Sequence, residues 1–171
     1  HKKNDKKKAT NYRPVSLTCI PCKVMEGILR THILNHMNQN NLLSSRQFGF
    51  VEKRSTSLQL LYTIEDWIQM LEQGACVDVA YMDLMKAFDS VPYQRLIKKL
   101  YSYGIRGRPL QWIEAFLANR TQTVLVNGAR SESQMVKSGV PQGSVLGPVL
   151  FVIYVNDLPE VVNSPVVMYA D

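Results

Sequence analysis

Residues 77–83 read VDVAYMD, an apolar stretch that ends on a carboxylate. Its β-branched and aromatic residues, and its lack of a helical period, predict a mostly buried strand. A carboxylate at the edge of such a strand is costly unless it is paired, hydrogen-bonded or bound to a metal. The stretch therefore predicts a strand that carries a functional carboxylate, Asp83, at its end.

A second carboxylate follows another apolar stretch. Residues 166–171 read VVMYAD, which predicts a strand that ends on Asp171. Each aspartate alone is more typical of a strand-end cap or of one half of a salt bridge. Together they indicate a hard-cation site, because Mg²⁺ prefers one or two carboxylates plus the phosphates of a substrate.

The stretch SGVPQGS at residues 138–144 is rich in turn residues and predicts a loop. Glycines allow the backbone to approach a ligand closely, and the amide of Gln142 can both donate and accept hydrogen bonds. Periodicity alone favours a strand-to-helix turn with a polar tip. At this point both interpretations stay open.

Helical patterns surround these stretches, and a hairpin lies between them. Asn127-Gly128 predicts a two-residue turn that joins a strand at 121–126 to a return strand toward Val136. Strands and helices mix without strict βαβ alternation, which predicts an α+β chain. Helices are predicted from Pro21 to Met37, over 56–72 with Gly74 closing it, from Pro92 to about Tyr103, from Pro109 through Leu117 and over about 145–158.

Length and composition fit one globular domain of 171 residues with a formal net charge of +6. Residues 1–8 hold five Lys and one Asp, a net of +4, so much of the charge belongs to a lead-in that is usually only solvated. No apolar run reaches the roughly 18–20 residues of a membrane span. No secretory leader is expected, and both ends look like cuts in a longer protein.

Three cysteines are present, and two of them form a C-x-x-C with Pro21 inside it. No second Cys or His pair completes a zinc site, so Cys19 and Cys22 are predicted to be small buried thiols beside a helix start. A reducing, intracellular setting fits this cysteine usage.

Five segments, taken in order, resemble the reverse transcriptases of retroelements without long terminal repeats, of the jockey-like and related kinds. The likeness runs from Asn11 onward. The segments are NYRPVSL at 11–17, QFGF at 47–50 followed by KRST at 53–56, YMDLMKAFD at 81–89, SGVPQGSVLG at 138–147 and YAD at 169–171.

The resemblance implies an α+β right-hand polymerase with fingers and palm, an antiparallel palm sheet with flanking helices and no thumb. The parts it implies are a basic flexible lead-in at 1–10, fingers at 11–75, palm at 76–90, helices and hairpin of fingers and palm at 91–143, and palm at 144–171. The chain would stop inside an Asp-Asp turn whose second Asp is residue 172.

The implied activity is RNA-directed DNA synthesis, in which a primer 3′-hydroxyl attacks the α-phosphate of a dNTP on an RNA template. Asp83 and Asp171 would be the catalytic residues and would hold two Mg²⁺ ions, with Mn²⁺ as the alternative metal. The partners would be an RNA template, a DNA or RNA primer and a dNTP, without a membrane. A thumb and an endonuclease domain would be missing, so the isolated chain is expected to be poorly active.

The resemblance also implies a nucleotide pocket. Phe88, beside Ala87, would lie under the incoming sugar and exclude a 2′-hydroxyl, the group that distinguishes RNA from DNA. Arg54 and Lys53 would grip the triphosphate, and Gln142 would line the pocket on a loop fixed by Pro141 and Gly143.

Several alternatives remain open at this stage. Phe88 is otherwise a core aromatic, and Lys53 and Arg54 are otherwise surface cations. Asp89 is expected to cap the helix entered near Pro92, or to pair with a cation, rather than bind metal. The chain could instead come from a maturase- or telomerase-like relative, or be an inactive nucleic-acid-binding remnant of a decayed element. Its location would be the nucleus, a cytoplasmic ribonucleoprotein, or both.

Overall fold

A computed structural model describes residues 15–126 and 128–170. Helices dominate this part of the chain, and the five predicted helices are present, whereas the one-turn helix at 87–90 and the 3₁₀ helix at 158–160 were not predicted. Their bounds are α1 (Ile20–Gln39), α2 (Thr56–Glu72), α3 (Ala87–Ser90), α4 (Tyr93–Ser102), α5 (Gly107–Leu117) and α6 (Gly147–Val155), followed by a 3₁₀ helix at Leu158–Glu160.

The core is built around α6, whose residues are apolar on every side. Helix α6 packs against α4, and α4 packs against α5. Helix α1 adds the predicted stripe of every fourth residue, although Met25 at the start of that stripe is partly exposed. The side chains that define the core include Leu29, Ile33, Met37, Leu96, Leu100, Ile113, Leu117, Leu150, Phe151 and Ile153.

The predicted hairpin is present, in two short antiparallel ladders. Strand β1 (Thr121–Gln122) pairs with β4 (Gln134–Met135), and β2 (Leu125–Val126) pairs with β3 (Ala129–Arg130). Val126 stands opposite Ala129, which leaves the two positions of the predicted turn between them. Asn127 itself lies outside the described residues. The mixed helix and sheet content agrees with the α+β prediction.

The predicted strand at 77–83 is wrong for the described structure. The segment has no regular secondary structure and pairs with no strand among the described residues, and Tyr81 and Met82 are 87% and 81% exposed. The predicted strand at 166–171 is reduced to a parallel bridge between Met168 and Gln47. The described residues therefore form no antiparallel palm sheet, because a strand needs a partner that its own sequence does not supply.

None of the residues of α2 is buried among the described residues, although the helix is amphipathic in sequence. One expectation about burial is wrong. Cys19 is exposed at the N-cap of α1 and Cys22 is only half-buried, so neither thiol is a core residue. Partial burial raises the pKa of the Cys22 thiol, and its hydrogen bond to Glu26 raises it further.

Glu26 is a fully buried carboxylate, which the sequence pattern did not reveal. Its Oε2 accepts hydrogen bonds from the backbone N–H groups of Val145 (2.7 Å) and Leu146 (2.9 Å), just before α6 begins. Its Oε1 lies 3.6 Å from the thiol of Cys22, which donates to it. A negative charge at a helix N-terminus is stabilised by the helix dipole and by the free N–H groups.

The contacts of Glu26 predict a stability difference between two substitutions. Glu26→Ala leaves one buried and one partly buried N–H group without an acceptor and should lower the free energy of unfolding by about 2–4 kcal/mol. Glu26→Gln keeps an acceptor oxygen and should lose about half of that. Urea unfolding measures both, with Glu114→Ala on the exposed face of α5 as a control expected within about 0.5 kcal/mol of the unchanged chain. Equal losses for Ala and Gln would contradict the capping role.

Candidate active site

The loop at 138–143 lies along the segment 88–91, to which the backbone joins it. The N–H of Gly139 donates to the carbonyl of Val91, and the N–H of Val140 donates to the carbonyl of Phe88, both at 2.8 Å. The hydroxyl of Ser138 donates to the carbonyl of Asp89, also at 2.8 Å. Two motifs separated by about fifty residues therefore meet in one structure.

Gly139 is required at this contact. Its φ is +87°, a conformation that other residues rarely adopt. A Cβ built on Gly139 would lie 2.6 Å from both Cα and O of Asp89, which leaves no room for a side chain. The glycine that the sequence associates with ligand approach is thus used to bring two backbones together.

Gln142 reaches the same segment through its side chain. Its Nε2 donates to Oδ1 of Asp89 at 2.7 Å. The expectation that Asp89 caps a helix or pairs with a cation is therefore wrong, since α4 has no side-chain cap and the carboxylate binds an amide. The partner of Asp89 could not be predicted from the sequence, because it lies 53 positions away and no local pattern indicates such a pair.

Pro141 and Gly143 hold the far end of the loop. Pro141 is buried, and its carbonyl accepts from the hydroxyl of Ser144 at 2.8 Å. The same hydroxyl accepts from the N–H of Gly147 at 2.9 Å, which caps the start of α6. Gly143 has a φ of +95° and lies under Ser16, whose N–H donates to the carbonyl of Gln142 at 2.7 Å. The loop is thus anchored to its own following helix and to residue 16.

Arg120 and Tyr93 brace the start of the loop, and sequence reasoning did not single out either. Arg120 Nη2 donates to the hydroxyl of Tyr93 at 2.6 Å and also to the carbonyl of Gly139. The Tyr93 hydroxyl lies 3.0 Å from the carbonyl of Ser138 and 3.2 Å from that of Val136. The only sequence signal was their position after Pro92 and after α5, which does not predict a contact.

Phe88 is an aromatic that packs on the core and remains half-exposed. Its ring stacks on that of Phe151 in α6, with centroids 4.3 Å apart, and meets the edge of Phe50 at 6.2 Å. Ala87 beside it is buried. Phe88 is therefore a core aromatic on the face of its ring that stacks on Phe151. This stacking holds the ring in place beside the loop that carries Gln142.

Within the described residues, neither Arg54 nor Lys53 forms a hydrogen bond with this loop. Arg54 Nη1 donates to the carbonyls of Ser45 and Gln47, the latter at 2.7 Å, and its guanidinium lies 5.1 Å from the ring centre of Phe48. Lys53 is exposed with a φ of +61°. The structure thus places Arg54 as a brace of the segment 45–48.

The segment 46–49 supports the stretch that leads to Asp171. The N–H of Phe48 donates to Met168 at 2.8 Å. Buried Gln47 accepts from the N–H groups of Gly49 (2.8 Å) and Ala170 (3.0 Å) through its Oε1. A Cβ on Gly49 would lie 2.5 Å from the backbone nitrogen of Ala170. Sequence reasoning quoted this motif but did not predict that it holds the end of the chain.

The two aspartates differ in what the structure says of them. Asp83 is exposed, and none of its neighbours among residues 15–126 and 128–170 pairs with its carboxylate. Asp171 lies outside the described residues. Within the described ranges, no three His, Cys, Asp or Glu side chains are grouped closely enough to hold a metal ion.

Comparison with known proteins gives the chain its relatives. The family model described as "Reverse transcriptase (RNA-dependent DNA polymerase)" matches residues 1–171. The chain is 32% identical over 150 residues to "RNA-directed DNA polymerase from mobile element jockey" of Drosophila funebris, which covers 88% of this chain and 16% of that protein. It is 31% identical over 155 residues to "Probable RNA-directed DNA polymerase from transposon BS" of Drosophila melanogaster, with 87% and 16% covered. The chain thus spans only 16% of the length of these relatives.

Two glycines on the chain test the contact at 46–49. Gly49→Ala forces a methyl group against the backbone of Ala170 and should lower the free energy of unfolding by about 1–3 kcal/mol. Gly27→Ala in α1 has nothing within 4 Å of its new Cβ and should instead raise stability by about 0.5–1 kcal/mol. Urea unfolding of both variants measures the difference. If Gly49→Ala were as stable as Gly27→Ala, the close approach of residue 49 to residue 170 would be disproved.

Proposed function

Because the chain belongs to the reverse transcriptase family, we propose that it contributes the nucleotide site of an RNA-directed DNA polymerase from a retroelement without long terminal repeats. The observation that carries this proposal is the docking of the loop 138–143 on residues 88–91. This contact brings together the two motifs that the resemblance assigns to the nucleotide pocket. Relatives that are named as polymerases of mobile elements support the same activity.

The proposed reaction is nucleotidyl transfer onto a primer annealed to an RNA template. The primer 3′-oxygen forms a bond to the α-phosphorus of a dNTP, the bond from that phosphorus to the bridging oxygen breaks, and pyrophosphate leaves. The 3′-hydroxyl proton passes to solvent or to a neighbouring base. The template strand selects the nucleotide by base pairing.

Asp83 and Asp171 are proposed to hold the divalent cations of this reaction. Asp83 fits the role, since it offers carboxylate oxygens that no described side chain occupies, and oxygen is the ligand atom that Mg²⁺ and Mn²⁺ prefer. Bound cations would favour ionisation of the attacking hydroxyl and neutralise charge on the leaving pyrophosphate. Mg²⁺ is the proposed metal, with Mn²⁺ as its substitute.

The nucleotide pocket is proposed to lie where the segment that carries Phe88 meets the loop that carries Gln142. The stack on Phe151 would hold the ring of Phe88 at a fixed height, and a rigid ring can exclude a 2′-hydroxyl by its volume. Ala87, Pro141 and Gly143 would keep that wall and the loop in place.

Arg54 is proposed to contact the triphosphate while it keeps its hydrogen bonds to the carbonyls of Ser45 and Gln47. A guanidinium has five N–H donors, and the described contacts to Ser45 and Gln47 use Nη1 alone. The remaining donors suit phosphate oxygens, and exposed Lys53 adds a second cation beside them.

The division into parts is also proposed. Residues 1–10 would be a basic lead-in, 11–75 the fingers, 76–90 the palm with Asp83, 91–143 helices and hairpin of both, and 144–171 the palm. The close contact of 46–49 with 168–170 supports placing the second fingers motif, at 47–50, against the palm end. Among the described residues, no helix is long and apolar enough to cross a membrane.

Asp83→Asn tests the metal role. The amide keeps the size of the carboxylate but loses its charge, so primer extension on an RNA template with dNTPs and Mg²⁺ should fall by more than about a hundredfold. Primer extension by the full-length protein measures this effect. Asp78→Asn, an exposed carboxylate five positions earlier in the same segment, is the matched control and should keep most of the activity. Equal activity of Asp83→Asn and the unchanged protein would overturn the assignment.

Phe88→Val tests the sugar wall. The smaller side chain should raise incorporation of rNTPs relative to dNTPs by about tenfold or more, because the ring volume that excludes the 2′-hydroxyl is gone. Single-nucleotide incorporation with each substrate measures the ratio. Phe116→Val removes an aromatic that stacks on Trp112 instead, and it controls for general loss of packing. A ratio that changes equally in both variants would count against the role of Phe88.

A further inference from the structure

Among the described residues, the side chain of Asp89 makes its hydrogen bond to Gln142 and forms no salt bridge. Gln142 Nε2 lies 2.7 Å from Oδ1 of Asp89, in a partly buried setting. The two residues belong to different motifs and are joined in the loop that supports the proposed function. The contact is therefore a direct link between the residue after Phe88 and the proposed pocket side chain.

The chemistry of the pair determines whether the nitrogen or the oxygen of the Gln142 amide faces Asp89. An ionised carboxylate only accepts hydrogen bonds, so the amide nitrogen of Gln142 must point at Asp89. The amide oxygen then points away from Asp89, and no donor among the described residues bonds to it. A hydrogen bond to a charged acceptor is stronger than one between neutral groups, so the amide is held in this orientation.

The backbone already holds the loop without this side chain. Ser138, Gly139 and Val140 bond to the backbone of residues 88–91, and Gly139 touches the backbone of Asp89 itself. The carboxylate of Asp89 is therefore not needed to dock the loop. What it adds is the direction of one amide.

We propose that Asp89 is a positioning residue that orients the Gln142 amide, so that its oxygen is offered as an acceptor to the nucleotide in the pocket. This inference rests on the proposed function, because it assumes that Gln142 faces the incoming nucleotide. Asp89 acts through Gln142 and binds neither metal nor substrate itself.

A double-mutant cycle in the full-length protein tests the inference, since it separates a role through Gln142 from a structural role. Steady-state primer extension gives KM for dNTP and kcat for Asp89→Ala, Gln142→Ala and the double variant. Asp89→Ala should raise KM by about tenfold with kcat within about threefold. In the Gln142→Ala background, Asp89→Ala should add no further change in KM.

Two more variants complete the design. Asp89→Asn keeps an acceptor oxygen for Nε2 and should restore most of the KM. Asp157→Ala removes another hydrogen-bonded carboxylate, at the far end of α6, and should leave KM unchanged. An Asp89→Ala effect that persists in the Gln142→Ala background would overturn the inference, and so would an unchanged KM. A shift in the Mg²⁺ concentration needed for half-maximal rate would instead show that Asp89 binds metal.

Failure of the proposed function is distinguishable from failure of the inference. If the unchanged protein extends no primer on RNA with dNTPs, the proposed function itself fails. If the unchanged protein is active and the cycle is additive, the polymerase assignment stands and only the role of Asp89 is lost.

Discussion

Hydrogen bonds between the backbone of residues 88–91 and the loop at 138–140 are the contact on which the candidate site depends. These bonds join main-chain atoms, so they do not depend on particular side chains. They do require a glycine at position 139, because a Cβ there would collide with the backbone of Asp89. Around this contact, Phe88 stacks on Phe151, Asp89 bonds to Gln142, and Ser144 after the loop bonds to the start of α6.

Helix α6 needs a further constraint, because an apolar helix with no polar face has no preferred rotation in an apolar core. Buried polar side chains supply it at both ends. Glu26 accepts from the N–H groups before its start, and Asn156 after its end bonds to Ser44, to the carbonyl of Leu42 and to the hydroxyl of Tyr103. Such groups are costly when unpaired, so the helix is stable in one register only. The loop that precedes α6 is held in position as well, because it leads directly into the start of this helix.

The sequence predicts the helices and the hairpin well, since periodicity, Pro21 and Pro92 at the starts, and the two-residue turn are all local signals. It predicts poorly what depends on distant partners. The apolar stretch 77–83 was expected to be buried, but burial of a strand is set by its neighbours, and Tyr81 is 87% exposed. Glu26, Asp89 and Arg120 were missed or misassigned for the same reason, because each bonds to a partner far away in sequence.

The motif at 47–50 also has a structural role that depends on a distant partner. In sequence it is known only as a segment that resembles a fingers motif, with no partner indicated for its glutamine or its glycine. In the structure its glutamine oxygen bonds the backbone of residues 49 and 170, and its glycine leaves no room for a side chain against Ala170. The segment that runs into Asp171 is thus held by residues 46–49, whereas the segment that runs into Asp83 forms no ladder within the described residues. Of the two segments that lead to the proposed metal ligands, the one before Asp171 is therefore held by the motif at 47–50, whereas the one before Asp83 has no such partner among the described residues.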